Sequence, residues 1–210
     1  MNIGIIGAGH VGGNLGKIWA KVGHKIVFGV RDLQSPKIRE LIKSIGSNAC
    51  AGSIAEAAVF GEVVVLAVPW TAAKDAIQQA ESLNGKILVD CTNPLNPDLS
   101  SLLIGHTTSA AEKIAQWAIG AKVVKAFNSL GAGNLPNLQF GAQKADTFIC
   151  GDDAESKSVV TRLAKDIGFD VIDAGSLSSA RLLEPLAMLW IQLAYKQGMG
   201  TDIAFKLLRR

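Results

Sequence analysis

Three glycines near the start of the chain have the spacing G-x-G-x-x-G, which is typical of a loop that binds the pyrophosphate of a dinucleotide. The six residues of this loop are Gly7, Ala8, Gly9, His10, Val11 and Gly12. They follow an apolar run at residues 2–6 and open a helical repeat through Leu15, Ile18 and Trp19. In that context the first glycine permits a tight turn, the second lets the backbone approach the phosphates, and the third lets helix and strand pack closely. The helix N-terminus would present free N–H groups to the phosphates.

The end of the next apolar run indicates which nucleotide the loop would bind. An NAD-dependent protein usually places Asp or Glu there for the ribose 2′-hydroxyl, whereas a nearby arginine accommodates a 2′-phosphate. Here Val30 is followed by Arg31, whose guanidinium can hold a phosphate through two charge-assisted hydrogen bonds. Asp32 follows at once, either as an ion-pair partner on the turn or as a sign of NAD use. The sequence favours NADP over NAD.

The elements that must position these residues alternate between short β-branched runs and longer helical stretches, a pattern typical of parallel βαβ units. Predicted strands span residues 2–6, 25–30, 63–68, 86–90, 122–127, 147–150 and 169–173, with a weaker one at 49–51. Capping residues mark helix starts at Ser53 with Glu56, at Ser109 with Glu112, and at Asp152. We therefore predict an α/β fold with a Rossmann-type, doubly wound parallel sheet that is extended by extra strands.

The chain reads as one globular unit with two regions. Residues 1–128 are expected to form the NADP-binding Rossmann core, and residues 129–210 a sheet extension and a C-terminal helical segment. The stretch from residue 129 to about 146 is the longest irregular one, and such loops are usually functional or lie at interfaces. From residue 178 to 196 an apolar helix is predicted, interrupted by Pro185, which we expect to bend it.

That helix carries two apolar stripes. One consists of Leu182, Leu186, Leu189 and Leu193, and the other of Leu183, Trp190, Ile191 and Ala194. Two apolar faces predict burial nearly all round, either as a core helix or at a subunit interface. We expect a homodimer, with the second redox partner bound close to this segment.

The composition argues against several classes of function. The 210 residues are 49% hydrophobic, and a net charge of +3 is too small to indicate nucleic-acid binding. No apolar stretch approaches the roughly 20 residues of a membrane span, and no secretory signal precedes the fold. Cys50, Cys91 and Cys150 are too far apart for a metal site or a disulfide framework, and are expected to behave as small hydrophobes. A cytoplasmic protein without a metal, nucleic-acid or membrane partner is expected.

An ordered set of motifs gives the chain a specific resemblance. After the glycine loop and residues 29–31 come LAVPW at 66–70, DCTNP at 90–94, VKAFN at 124–128, CGD at 150–152, DAG at 173–175 and RLLEPLA at 181–187. Together these resemble the NADP oxidoreductases that depend on the deazaflavin coenzyme F420. They are also similar to the cytosolic reductase domain of STEAP metalloreductases, which uses a flavin instead. The likeness covers almost the whole chain.

This resemblance implies the cofactor contacts. It implies that the glycine loop wraps the pyrophosphate, and that Val30, Arg31 and Ser35 surround the 2′-phosphate. It further implies nucleotide contacts in the later motifs, from Ala67, Val68 and Pro69 in the cleft and from Asn93, Ala126 and Asn128 toward the nicotinamide. Family members often have serine in place of Val30, and some have lysine near Ser35, so Arg31 is expected to have less help. Ser35 could equally be the N-cap of its helix.

No residue stands out as a nucleophile or as an acid–base pair, and His10 is expected to have a positional role in its loop. Hydride transfer between two ring cofactors requires no such residue, because the rings carry the chemistry and the protein aligns them. We expect transfer of hydride between NADP(H) and a deazaflavin or flavin. The alternatives are an imine reductase similar to pyrroline-5-carboxylate reductase, which would need a longer helical dimerisation domain, and a non-catalytic NAD(P)-sensing module.

Overall fold

A computed structural model describes all 210 residues. The strands are β1 (Asn2–Ile6), β2 (Lys25–Gly29), β3 (Ala49–Gly52), β4 (Val63–Leu66), β5 (Ile87–Asp90), β6 (Lys122–Lys125), β7 (Gln139–Phe140), β8 (Gln143–Lys144), β9 (Asp146–Gly151) and β10 (Asp170–Asp173). The helices are α1 (His10–Lys21), α2 (Pro36–Ile45), α3 (Ile54–Phe60), α4 (Trp70–Gln79), α5 (Ala110–Trp117), α6 (Ala154–Ile167) and α7 (Ala180–Ile191). No helix is both long and apolar enough to cross a membrane.

Eight of these strands form one sheet in the order β10-β9-β6-β5-β4-β1-β2-β3. The six strands from β3 to β6 are parallel and follow the Rossmann order, with the change of direction between β1 and β4. On the far side β9 runs antiparallel to β6, and β10 runs parallel to β9. The structure confirms the predicted fold class, including the extra strands and the weak strand β3.

Helices cover both faces of the sheet, which explains why the central strands are largely apolar on both faces. In β4 all four residues are buried. Trp19 and Phe28 are fully buried on one face, and Leu66 and Ile114 on the other. The indole Nε1 of Trp19 donates to the carbonyl oxygen of Leu163 at 2.9 Å, which ties the Rossmann core to α6. Residues 1–128 and 129–210 thus contribute to one hydrophobic cluster, and their division of labour stays a prediction.

The predicted helix starts are confirmed at two places and displaced at a third. Ser53 and Glu56 form a capping box at α3, and the Ser109 hydroxyl accepts from the backbone N–H of Glu112 at α5. At α6 the cap is Asp153 and not Asp152, because the Asp153 carboxylate accepts from the backbone N–H of Ser156 at 2.8 Å. The long loop before β9 also contains a hairpin, in which β7 and β8 have two residues each. The polar sequence of this loop did not indicate the hairpin.

The C-terminal helix α7 continues as a π-helical turn over Gln192–Lys196. Its two apolar stripes have different surroundings. Leu183 and Trp190 are buried, as a core helix requires, whereas Leu182 is 72% exposed and Leu189 is 47% exposed. The prediction of burial nearly all round is therefore wrong for the single chain, and one leucine stripe faces outward.

Candidate nucleotide-binding site

The glycine loop connects β1 to α1, and its three glycines have different reasons to be glycine. Gly7 has φ = +104°, and a Cβ there would lie 2.5 Å from the Ala67 carbonyl oxygen. A Cβ at Gly12 would lie 2.1 Å from the Gly7 carbonyl oxygen. A Cβ at Gly9 would meet nothing within 4 Å. Gly7 and Gly12 are thus required by packing, while the open space over Gly9 is available to a ligand.

The start of α1 is suited to an anion. Gly9 is its N-cap and has no side chain to cap the helix, and no acidic residue occupies the first turn. The first N–H groups of a helix have no partner within the helix, and the helix dipole places partial positive charge there. Because neither a capping side chain nor a carboxylate competes for these donors, the loop fits a pyrophosphate.

A cavity of about 420 Å³ lies over the carboxyl ends of β1, β2 and β4. This is the crevice at the change of strand direction where open α/β sheets bind ligands. Most of the predicted contact residues line it. They are Gly7, Ala8, Gly9, Val30, Arg31, Ser35, Ala67, Val68 and Pro69. The cavity is large enough for half of a dinucleotide, and its apolar walls suit an adenosine.

Positive charge gathers at the end of the cavity formed by β2 and α2. Arg31 and Lys37 both line it, together with Ser35. Ser35 stands at the N-cap of α2, but its hydroxyl makes no capping hydrogen bond, so the hydroxyl is available to a ligand. Arg31 was expected to lack the help of a nearby lysine that some family members have. Lys37 provides such a second cation. The sequence did not indicate this role, because a lysine in the first turn of a helix is usually a solvated surface residue.

Asp32 lines the same cavity but forms no ion pair with Arg31 or Lys37. The prediction that it pairs with a cation on the turn is wrong. Its Oδ1 accepts from the backbone N–H of Gln34 at 2.9 Å, and no ion pair joins it to Arg31. The carboxylate thus shapes the turn that leads into α2.

The remaining predicted residues lie outside this cavity. His10 lines a second cavity of about 490 Å³ between α1 and α2, with Lys17 and Glu40. Val11 is half-buried against the core, and Gly12 is buried. Asn93, Ala126 and Asn128 follow β5 and β6, further along the same edge of the sheet.

The segments that follow β5 and β6 are joined by amide hydrogen bonds. The Asn93 Nδ2 donates to the Asn128 carbonyl oxygen at 3.0 Å, and the Asn128 Nδ2 donates to the Asn93 Oδ1 at 3.0 Å. Between Ala126 and Asn128 the backbone turns through Phe127, which has φ = +60°. A bulky residue in that region is strained and is held by its surroundings. We call Asn93 and residues 126–128 the rim.

Beneath the rim lies a cluster of charges that the sequence interpretation did not recognise. The Lys125 Nζ lies 2.8 Å from the Asp90 Oδ2 and 2.9 Å from the Glu184 Oε1. Their side chains are at most 1% exposed. Burial alone would lower the pKa of Lys125, but the attraction of Asp90 and Glu184 outweighs it and raises the pKa. We call these three residues the buried ionic cluster. In the sequence, the only sign of this cluster is that each of the three charged residues lies within an otherwise apolar run.

The two buried cysteines offer no nucleophile. Burial raises the pKa of Cys91 far above its usual range and that of Cys150 to about 12. Both therefore stay protonated near neutral pH, as expected of buried thiols. Cys50 lies exposed on the edge strand β3, so the prediction that it would behave as a buried hydrophobe is wrong.

Comparison with known proteins places this site in a family. Residues 2–94 match the family model described as NADP oxidoreductase, coenzyme F420-dependent. Over 97% of both chains, the protein is 33% identical to the F420-dependent NADP reductase of Methanocaldococcus jannaschii. It is 30% identical to that of Methanothermobacter marburgensis over 93% of both chains.

The chain belongs to the coenzyme F420-dependent NADP oxidoreductase family. This confirms the resemblance carried by the ordered motifs, and it makes the chain a member of a family of NADP-dependent oxidoreductases. The later motifs extend the resemblance beyond the family match, which ends at residue 94, before the rim residues that follow β6.

Three further proteins are similar to this chain. The crystal structure of an Arthrobacter sp. FB24 protein assigned as an F420-dependent NADP reductase covers 100% of both chains, with a TM-score of 0.90 and 30% identity. Metalloreductase STEAP3 of Rattus norvegicus is 33% identical over 89% of this chain, but over only 36% of its own length. A reductive aminase from Aspergillus terreus shares the fold, with a TM-score of 0.68 and 20% identity.

Proposed function

We propose that this member of the family transfers hydride between the nicotinamide of NADP(H) and a deazaflavin of the coenzyme F420 type. One observation carries the proposal. Arg31, Lys37 and Ser35 line one end of a cavity whose other wall is the glycine loop, and the Ser35 hydroxyl makes no capping hydrogen bond. The curated relatives that match nearly the whole chain are named F420-dependent NADP reductases, which supports the choice of acceptor.

The binding half of the proposal follows from charge and geometry. The 2′-phosphate of NADP would lie between Arg31 and Lys37, with the Ser35 hydroxyl as a further donor. A hydrogen bond to a charged group contributes about 1.5–3 kcal/mol, so two cations can separate NADP from NAD by a large factor. The pyrophosphate would lie over Gly9, where the N-terminus of α1 supplies N–H donors.

The chemical half requires alignment more than reactive side chains. When bound, the nicotinamide carries the hydride that is transferred. The rim would hold one face of this ring. The hydrogen bonds between Asn93 and Asn128, together with the strained turn at Phe127, would fix the position of the rim. A protein that holds the reacting atoms about 3–3.5 Å apart supplies most of what such a transfer needs.

The outward stripe of α7 supports a second part of the proposal, a homodimer. Leu182 and Leu189 are exposed on an element whose opposite face is in the core. A self-complementary apolar patch closes on a second copy of the chain through one twofold axis. The acceptor would bind close to α7, which is tied to the rim because the Leu183 carbonyl oxygen accepts from the Asn128 amide at 2.9 Å. Location in the cytoplasm stays a prediction.

An acceptor panel tests the proposed function. Anaerobic oxidation of NADPH is followed with coenzyme F420, FMN, FAD, a ferric chelate and a cyclic imine, with NADH as the matched donor. We expect turnover with F420 and a strong preference for NADPH over NADH. Turnover with FMN or FAD alone would point to a flavin-dependent reductase, and turnover with the imine alone to an imine reductase. Tight NADPH binding without turnover of any acceptor would point to a nucleotide sensor.

A further inference from the structure

The buried ionic cluster connects three elements of the fold through charged side chains, although apolar side chains could connect them as well. Asp90 ends β5, Lys125 ends β6, and Glu184 lies in the first half of α7. Removing two carboxylates and one ammonium from water is costly, and apolar residues of similar volume often stabilise a fold as well or better. Such a cluster directly under a ligand-binding rim is therefore a candidate for a functional role.

The hydrogen bonds define the charge state of the cluster. The Asp90 Oδ1 accepts from the backbone N–H of Thr92 at 2.8 Å, and its Oδ2 accepts from Lys125. Glu184 accepts from the backbone N–H groups of Ala110 and Ala111 at 2.9 and 3.1 Å, as well as from Lys125. Every carboxylate oxygen faces an N–H donor, which is how ionised carboxylates bond.

The three protons of the Lys125 ammonium are also all used. They reach Asp90, Glu184 and the carbonyl oxygen of Thr92. With both carboxylates and the ammonium ionised, the cluster has a formal net charge of −1. The N-terminus of α5, at Ala110 and Ala111, offsets only part of it, because a helix dipole is equivalent to roughly half a charge.

This negative charge lies next to the place proposed for the nicotinamide. Asn93 lies three residues after Asp90, and residues 126–128 follow Lys125 directly, so each part of the rim comes just after a member of the cluster at the end of a strand. The nearest charged pair on the same helices is that of Arg181 with Glu112, which is neutral overall and partly exposed. A buried charge is screened far less by salt than such a surface pair.

We propose that the buried ionic cluster biases the bound nucleotide toward its oxidised state. The oxidised nicotinamide ring is positively charged and the reduced ring is neutral, so a net negative charge beneath the rim favours NADP⁺ over NADPH. Tighter binding of NADP⁺ makes bound NADPH a stronger hydride donor to its acceptor. Asp90 and Glu184 then act as positioning residues that set the electrostatic potential at the ring. This inference rests on the proposed function, since it requires a nicotinamide at the rim.

The test compares affinities for the two oxidation states in variants that each remove one negative charge. In Glu184→Gln and in Asp90→Asn, the ratio of the Kd for NADP⁺ to the Kd for NADPH should rise. The expected rise is on the order of tenfold, as for a unit charge roughly 10 Å away at an effective dielectric constant of about 20. The affinity for 2′,5′-ADP, which lacks the nicotinamide, should not change. Calorimetry gives the affinities, and circular dichroism shows that each variant is folded.

Glu112→Gln is the matched control. It is the same substitution at the junction of α5 and α7, and it also removes a partner from an ion pair, but on the protein surface. It should lower stability slightly and leave the NADP⁺ to NADPH ratio unchanged. A purely structural role of the cluster would weaken both nucleotides and 2′,5′-ADP together, without a change in this ratio.

An unchanged ratio in folded Glu184→Gln and Asp90→Asn would overturn the inference, as would an equal shift in Glu112→Gln. If neither variant folds, the wild-type protein decides: NADP⁺ should bind more tightly than NADPH, and the reverse order would overturn the inference. A wild-type protein that binds neither nucleotide would refute the proposed function as well, whereas binding without the expected ratio would refute the inference alone.

Discussion

Asn93 and Asn128 exchange two hydrogen bonds of 3.0 Å across the carboxyl ends of β5 and β6. The same Asn128 amide also donates to the carbonyl oxygen of Leu183 on α7, at 2.9 Å. Two strands and one helix thus meet at one side chain, which is 6% exposed. The Asn128 Oδ1 is buried and has no partner. Such a junction holds the rim in one arrangement, because a change at any of its three elements would leave a buried polar group unpaired.

Asn128→Ala should therefore destabilise the protein by about 1–3 kcal/mol, because it leaves the buried acceptors of Asn93 and Leu183 unpaired. Urea unfolding followed by circular dichroism gives the free energy of unfolding. The control is Asn137→Ala, in an exposed loop, where the cost should stay below about 1 kcal/mol. Equal costs for both variants would show that the junction does not hold the rim.

Gly9→Val should abolish nucleotide binding without unfolding the protein. The added side chain meets nothing in the protein itself, but it would occupy the space proposed for the pyrophosphate. Gly12→Val is the contrasting variant, since its Cβ would clash with the Gly7 carbonyl oxygen at 2.1 Å and should prevent stable folding. Calorimetry with NADPH and a thermal melt distinguish the two. Full NADPH affinity in a folded Gly9→Val variant would refute the assignment of the glycine loop as the pyrophosphate-binding loop.

Arg31→Ala should weaken NADPH binding by about 1.5–3 kcal/mol, the scale of a hydrogen bond to a charged group. The affinity for NADH should hardly change, because NADH has no 2′-phosphate. Lys37→Ala should act in the same direction. Arg39→Ala, on the same helix as Lys37, removes a cation that bonds to Gln34 outside the cavity, and should leave both affinities unchanged. Equal losses for NADPH and NADH in Arg31→Ala would contradict the 2′-phosphate assignment.

The Leu189→Asp, Leu193→Asp double variant should convert a dimer into a folded monomer. Leu189 is 47% exposed in the single chain, so a charge there costs little unless a second copy covers it. Light scattering coupled to size-exclusion chromatography measures the mass of both proteins. Val59→Asp on α3, at a site that is 71% exposed, is the control and should keep the wild-type mass. A monomeric wild type would refute the dimer.

Local patterns predicted the fold well, because the physical causes of its elements are local. The apolar run of β4 indicated a strand covered on both faces, and Ser53 with Glu56 indicated the start of α3. The glycine loop was recognisable because its spacing reflects a backbone geometry that few other sequences adopt. The predicted strands extended past the real ones at residues 30, 67 and 126, because the chain leaves the sheet there to form the ligand crevice.

The features that sequence did not predict depend on distant contacts. Lys37 enters the cavity only because the loop after β2 brings the first turn of α2 to the cavity wall, and a lysine in a first turn gives no local sign of this. Asp90, Lys125 and Glu184 are far apart in the chain and meet only when β5, β6 and α7 pack together. The exposed face of α7 was also not predictable, since periodicity reveals an apolar stripe but not what covers it.

The path of the transferred hydrogen tests the proposed hydride transfer itself. NADPH that carries deuterium at C4 of the nicotinamide, in separate samples for each of the two faces, is mixed anaerobically with the wild-type protein and oxidised coenzyme F420. Mass spectrometry then analyses the reduced deazaflavin. We predict that the reduced F420 from one of the two samples carries one deuterium, since the ring is held on one face and the transfer is direct. Reduced F420 without deuterium from either sample, or no reduction of F420 at all, would contradict it.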